Sequence, residues 1–176
     1  MKFNQTTLHG AYLIEIEPHE DERGFFARTW SREEFLKHEL NAAIAQCSIS
    51  YNKKRGTLRG VHYQIKPYEE AKVVACTAGA IYDLIVDLRP TSKTFKRWFA
   101  VELTADKKNM LYVPEGFAHG FQTLEDESEV FYQISQTYQP EYSRGIRFDD
   151  PAFGFQWPIE KRIISERDRT FPDFTL

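Results

Sequence analysis

Sulfur is scarce in this 176-residue chain, which has two cysteines and two methionines. Cys47 and Cys76 lack Cys-x-x-Cys spacing and sit in strand-like apolar surroundings, so both are expected to be buried free thiols of a cytosolic protein. An excess of one charge is also missing. Twenty-three Lys and Arg stand against twenty-six Asp and Glu, a net charge of -3 with the signs interspersed. That balance argues against a broad nucleic-acid-binding surface. No apolar run approaches the roughly 18 residues of a membrane-spanning helix. The first residues, Met1-Lys2-Phe3-Asn4-Gln5, lack the apolar core of a signal peptide. Neither a P-loop nor a G-x-G-x-x-G occurs, so a bound nucleotide would be held by cations and aromatic stacking. Linkers, repeats and low-complexity tracts are absent, and the length suits one domain spanning 1–176.

Aromatic residues, by contrast, make up 15% of the chain, and fourteen are Phe. Such a share suits a β-rich interior or a pocket that stacks a flat ligand. Strands are expected at 12–17 and 25–30, separated by a polar turn over 19–24. Ser31-Arg32-Glu33-Glu34 forms a capping box that opens a short helix through Leu40, with Phe35, Leu36 and Leu40 inward and Glu34 reaching back to the cap. Further strands are expected at 45–52, 57–64, 71–77, 80–88, 96–104, 110–113, 119–124 and 129–136, punctuated by Gly79, Arg89-Pro90 and Pro114-Glu115-Gly116. No βαβ alternation appears, which argues for an antiparallel sandwich or barrel. The last forty residues, broken by Pro and Gly, read as an irregular wrap with a short helical turn or two.

The stretch Gly56-Thr57-Leu58-Arg59-Gly60-Val61-His62-Tyr63-Gln64 organises the chain. On a regular strand His62 shares a face with Gly60 and Gln64, and Arg59 lies on the other face unless Gly60 kinks the strand. The second informative stretch runs from Met110 through Pro114, Gly116 and His119 to Phe121. Together the two resemble the paired motifs of the cupin superfamily of jelly-roll barrels. Gly56, His62 and Glu69 fit the first motif, and Pro114, Gly116 and His119 fit the second. Gln64 replaces the middle histidine, and an amide oxygen is a poor ligand for Fe, Mn or Ni. The expectation is therefore a pocket without metal or other cofactor, a His62–Glu69–His119 triad being the alternative.

Lys72, Asp83 and Tyr132 interrupt otherwise apolar strands. Each alone reads as an ordinary half-exposed strand residue. With His62 and His119 they would furnish a base, a cation, carboxylates and a phenol in one dry pocket. That set suits proton abstraction next to a carbonyl, with a cation stabilising the enolate and the phenol returning a proton to the opposite face.

Six colinear motifs then make the resemblance specific: residues 23–26 (RGFF), 56–64, 87–90 (DLRP), 114–121 (PEGFAHGF), 144–151 (RGIRFDDP) and 165–169 (SERDR). The chain resembles the dTDP-4-dehydrorhamnose 3,5-epimerase family, isomerases that are metal-free cupins of nucleotide-sugar biosynthesis. The resemblance implies an all-β jelly roll, a nucleotide-linked 4-keto-6-deoxysugar as substrate, and inversion at C3, C5 or both. It implies His62 as general base oriented by Asp168, Tyr132 as general acid, and Lys72 on the C4 keto oxygen. His119 and Arg59 would hold the sugar and diphosphate, with Asp83 behind them. Arg23, Phe26, Tyr138, Gln46 and Arg167 would lie along the nucleotide cleft. The family's exchanged amino-terminal strands imply a homodimer in which Arg23 and Phe26 serve the partner's site. Arg28, Ser48 and Ser143 depart from the family's usual residues, all on the substrate-binding side. The alternatives left open are a C3-only epimerase acting on a different nucleotide-linked ketosugar and a metal-dependent cupin oxygenase or isomerase.

Overall fold

The computed structural model describes residues 1–175. Its strands are β1 (Lys2–Gln5), β2 (Tyr12–Glu15), β3 (His19–Asp21), β4 (Gly24–Phe26), β5 (Gln46–Asn52), β6 (Thr57–Gln64), β7 (Lys72–Ala78), β8 (Ala80–Asp87), β9 (Trp98–Thr104), β10 (Met110–Val113), β11 (Phe117–Thr123), β12 (Ser128–Ile134), β13 (Ser143–Gly145) and β14 (Ile163–Ile164). Two short helices, α1 (Arg32–Lys37) and α2 (Glu166–Arg169), complete the set with a 3₁₀ turn at Pro140–Tyr142. One sheet runs β1-β2-β10-β7-β12-β5; the other runs β13-β6-β11-β8-β9, with β14 beside β6. The two sheets face each other as a cupin-like jelly roll, with β3 and β4 forming a separate hairpin.

Three apolar layers follow from strand alternation. Between the sheets Val74, Leu111 and Val130 meet Ile81, Ile85 and Phe121. Outside the second sheet the carboxy-terminal wrap lays Phe153, Phe155 and Trp157 over Leu58, Val61, Leu84 and Val86. β8 is therefore covered on both faces, which explains why it carries buried apolar residues on each of them, with Asp83 set among them. Outside the first sheet α1 sets Phe35 and Leu40 on Ile14, Val73 and Tyr112.

Several local expectations need correction. Residues 19–21 pair with 24–26 as a hairpin, so the expected polar turn shrinks to Glu22-Arg23 and the strand expected over 25–30 ends at Phe26. Ser31 does cap α1 by accepting from the Glu34 amide, but the Glu34 carboxylate accepts from the amino group of Met1. Leu36 is 56% exposed, because a six-residue helix turns only one narrow face inward. Cys47 is exposed on the edge strand β5, whereas Cys76 is buried. The wrap is more regular than expected, since β13 and β14 both pair with β6.

One irregularity positions everything that follows. Across β6 and β11, His62 pairs with His119 and Arg59 with Phe121, so Gly60 and Val61 oppose Gly120 alone. This is a β-bulge, which adds one residue and reverses the alternation beyond it. Leu58 and Val61, three residues apart, consequently both reach the outer layer, and Arg59 and His62 both face inward. Gly60 is required there: its φ is +117°, and a Cβ would stand 2.5 Å from the Gly120 Cα. Gly60→Ala is expected to cost at least about 2 kcal/mol in urea unfolding, because neither backbone can yield without losing the bulge. An unchanged urea midpoint would show that the bulge tolerates a side chain.

Candidate active site

The bulge brings Arg59 and His62 of β6 to face Lys72 of β7 and Tyr132 of β12, across a cavity of about 330 Å³. His119, Asp168, Phe121 and Ser48 complete most of its wall. A second cavity of about 230 Å³ shares His62, Lys72 and Ile134 with the first and adds Gln46, Glu70, Tyr138, Ser143 and Arg167. The two cavities therefore adjoin along His62, Lys72 and Ile134.

His62 is held from behind. Its Nε2 lies 2.7 Å from Asp168 Oδ1, while the other carboxylate oxygen accepts from the Gly60 amide at 3.3 Å. Asp168 stands on α2, whose start is capped by Ser165. Burial alone would raise the Asp168 carboxyl, but the His62 ring, the Gly60 amide and Ser165 outweigh it and hold it below its ordinary value. An ionised carboxylate only accepts, so Nε2 carries a proton, and in the neutral ring that leaves the lone pair on Nδ1. Phe171 meets the His62 ring edge-on at 6.0 Å. It sits where Gly145 has no side chain, since a Cβ there would meet the phenyl ring at 2.1 Å.

The second histidine differs. His119 Nε2 is 2.6 Å from Asp83 Oδ1, and both residues are buried. Burial pushes the Asp83 carboxyl up, against the opposing pull of His119 and Lys72, and among the described residues its Oδ2 has no hydrogen-bond partner. The Lys72 ammonium pairs with Glu70 at 2.7 Å, each side chain 11% exposed. Tyr132 packs edge-on against His119 at 6.0 Å. Burial, reinforced by the charge of Asp83, pushes its phenol far above the ordinary value, so it stays protonated. Beside it Arg59 donates from Nε to Asn52 Oδ1 at 2.7 Å.

Of the residues singled out from sequence, His62, Tyr132, Asp168, Lys72, Arg59, His119 and Ser48 converge on the first cavity. Gln46, Tyr138, Ser143 and Arg167 converge on the second, where Arg167 donates to the Ser143 hydroxyl at 3.1 Å. Asp83 lies beneath the first cavity and acts through His119. Arg23, Phe26 and Arg28 do not join either cavity of their own chain. They stand on the β3–β4 hairpin and the loop after it, with Phe26 72% exposed. Sequence reasoning missed Glu70, Asn52 and Phe171. Glu70 sits two residues before Lys72, just ahead of β7, and its opposite charge so close in sequence is a signal that was available; Asn52 and Phe171 become legible only through tertiary contacts.

The His62–Glu69–His119 metal triad does not assemble. The Nε2 atoms of both histidines are committed to carboxylates, and Glu69 lines neither cavity. Gln64 donates to the Tyr68 and Thr137 carbonyls and accepts from the Gln139 amide, so its amide is already engaged by the backbone where it lines the second cavity. Among the described residues no group of three or more His, Cys, Asp or Glu is placed to hold a metal ion.

Because Asp168 is depressed below 3.8 in the fold, the unfolded chain binds that proton more readily. Its contacts therefore contribute stability above about pH 4, lost as pH falls through the folded value. Asp168→Asn is expected to cost roughly 1–2 kcal/mol in urea unfolding at neutral pH, with the gap to wild type closing below about pH 4. A gap that stays constant down to about pH 3 would contradict this assignment.

Comparison with known proteins gives a consistent result. A family model described as dTDP-4-dehydrorhamnose 3,5-epimerase matches residues 5–175. The dTDP-4-dehydrorhamnose 3,5-epimerase of Methanothermobacter thermautotrophicus is 41% identical over 173 residues, covering 97% of this chain and 92% of the relative. The crystal structure of the Elizabethkingia anophelis epimerase superposes with a TM-score of 0.96 at 37% identity, over 99% of this chain and 96% of that one. The Bacillus anthracis epimerase, solved with TDP and PPi bound, superposes with a TM-score of 0.94 at 36% identity, over 98% and 99% of the two chains.

Proposed function

The chain belongs to the dTDP-4-dehydrorhamnose 3,5-epimerase family, and on that premise we propose how its residues divide the work of inverting C3, C5 or both in a dTDP-linked 4-keto-6-deoxysugar. One observation carries the reading: His62 on one sheet and Tyr132 on the facing sheet line the same cavity, with Lys72 between them in sequence and on its wall. A base and an acid on opposite walls are what inversion of a carbon next to a ketone requires.

His62 Nδ1 takes the proton from the carbon beside the C4 ketone, and Asp168 stabilises the imidazolium that forms. Charge moves onto the keto oxygen, where the Lys72 ammonium stabilises the enolate. Tyr132 delivers its phenolic proton to the opposite face of the same carbon. The dry surroundings that raise its phenol keep that proton available until the enolate forms. Solvent then restores both residues. His119, braced by Asp83, and Arg59 hold the sugar and the diphosphate. Tyr138, Gln46, Ser48, Ser143 and Arg167 line the way out to the nucleotide.

Two further assignments complete the reading. The chain works as a homodimer whose β3–β4 hairpins cross over, bringing the partner subunit's copy of this hairpin to the mouth of the site. The hairpin's exposed Phe25 and Phe26 and the edge strand β5, with Ile49 62% and Tyr51 49% exposed, support that exchange. The setting is a reducing cytoplasm, supported by two free thiols of which Cys47 is exposed.

The test is incubation with dTDP-4-keto-6-deoxyglucose in heavy water, following deuterium entry at C3 and C5 by NMR. Wild type is expected to exchange and invert. His62→Asn should lower exchange by at least roughly 10²–10⁴-fold, and Tyr132→Phe should impair inversion more than exchange. Equal exchange in wild type and His62→Asn would remove His62 from the role of base. For the dimer, mixing refolded His62→Asn chains with Arg23→Ala/Phe26→Ala chains should restore turnover above either parent. No gain on mixing would place the hairpin outside the partner's site.

A further inference from the structure

Among the described residues Arg59 is the cation of the first cavity that makes no ion pair, since Lys72 is matched by Glu70. It is tethered all the same. Its Nε donates to Asn52 Oδ1 at 2.7 Å, and Asn52, the last residue of β5, is 1% exposed. The Asn52 amide is fixed at its other end, because Nδ2 donates to the Ser50 carbonyl at 3.0 Å and the Ser128 carbonyl at 3.1 Å. With both of those hydrogens used, a flipped amide would set its NH₂ against the Arg59 Nε–H and lose three bonds at once. The Oδ1 acceptor therefore has one direction only. A guanidinium anchored at Nε turns its two Nη groups outward as a planar fork, the geometry that meets phosphate oxygens in pairs. Among the described residues nothing else bonds that fork.

We propose that Asn52 is a positioning residue for substrate binding. It fixes the plane of the Arg59 guanidinium so that the Nη fork is already aligned for the diphosphate of the nucleotide sugar. This rests on the reading that the site takes a dTDP-linked ketosugar, and it assigns to a buried amide behind the pocket a share of the affinity for the anion. The bulge brings Arg59 to the cavity, and Asn52 then sets its orientation from the neighbouring sheet, through a contact joining β5, β6 and β12.

Lysine at position 59 keeps the charge but has no Nε–H fork for Asn52 to orient, which supplies a discriminating test. Dissociation constants for dTDP by calorimetry, with kcat and KM for the ketosugar, are measured on wild type, Asn52→Ala, Arg59→Lys and the double variant. Because Asn52→Ala also unties β5 from β12, Asn52→Thr is run beside it. Its β-branched chain suits a strand, and its hydroxyl stops short of Arg59. Either Asn52 substitution is expected to weaken dTDP by roughly tenfold and raise KM by a similar factor, with kcat within about twofold. In the Arg59→Lys background Asn52→Ala should change the dissociation constant by less than about twofold. A tenfold loss that persists in that background, or wild-type affinity in both single variants, overturns the proposal. A wild type that turns over the ketosugar while the cycle is additive sinks the role of Asn52 alone. A wild type that neither binds dTDP nor turns over the ketosugar overturns the functional reading, and this inference with it.

Discussion

Two residues of β6 set against one of β11 are the constraint on which the site depends. The bulge is held from the outside by the carboxy-terminal wrap. Val61 and Ile146 exchange backbone hydrogen bonds at 3.1 and 2.8 Å, and Asp168 accepts from the Gly60 amide while bonding His62. The wrap thus does more than cover an apolar sheet: it pins the irregular backbone and orients the side chain that the irregularity re-aims. Buried backbone groups displaced from a ladder need partners, and here Ile146 and Asp168, far downstream in the sequence, supply them.

The two histidine–aspartate pairs show how environment separates two chemically identical couples. His62 is 37% exposed in its side chain and meets a carboxylate held low, whereas His119 is 5% exposed and meets one pushed up by burial. The first couple can take a proton from a ligand and share the resulting charge. The second braces a buried ring against Tyr132 and keeps the floor of the cavity rigid. Environments that push paired groups apart are a general way for one pocket to hold both acid and base functions. Lys72 and Glu70 add a cation whose charge is balanced before substrate arrives, which limits the desolvation penalty of its place in the wall.

Much of this was legible from the chain alone. The strands at 57–64 and 110–113 stand where alternation and turn residues put them, and the four residues assigned to the chemistry converge on one cavity. What stayed hidden has physical causes. Strict alternation puts Arg59 opposite His62, and nothing in Leu-Arg-Gly-Val fixes whether Gly60 kinks; only pairing with β11 settles it. β13 and β14 span three and two residues, too short for any period to show. Asn52 ends a strand next to Lys53-Lys54-Arg55 and reads as the edge of a charged turn, while its burial comes from β12. Leu36 and Cys47, which a capped helix and apolar surroundings point inward, are exposed because a short helix and an edge strand each leave one face open. The hairpin bearing Arg23 and Phe26 lines neither cavity of its own chain, and periodicity over so few residues does not say what its exposed face meets.

Proton abstraction at this site depends on which nitrogen of His62 carries the proton. Long-range ¹H–¹⁵N correlation on histidine-labelled protein at neutral pH reads it directly, with His62→Asn assigning the signal. The expected result is a ring whose neutral form is protonated at Nε2, its hydrogen donated to Asp168, with Nδ1 unprotonated and the preference lost in Asp168→Asn. A ring protonated at Nδ1, with Nε2 left as the acceptor, would contradict it.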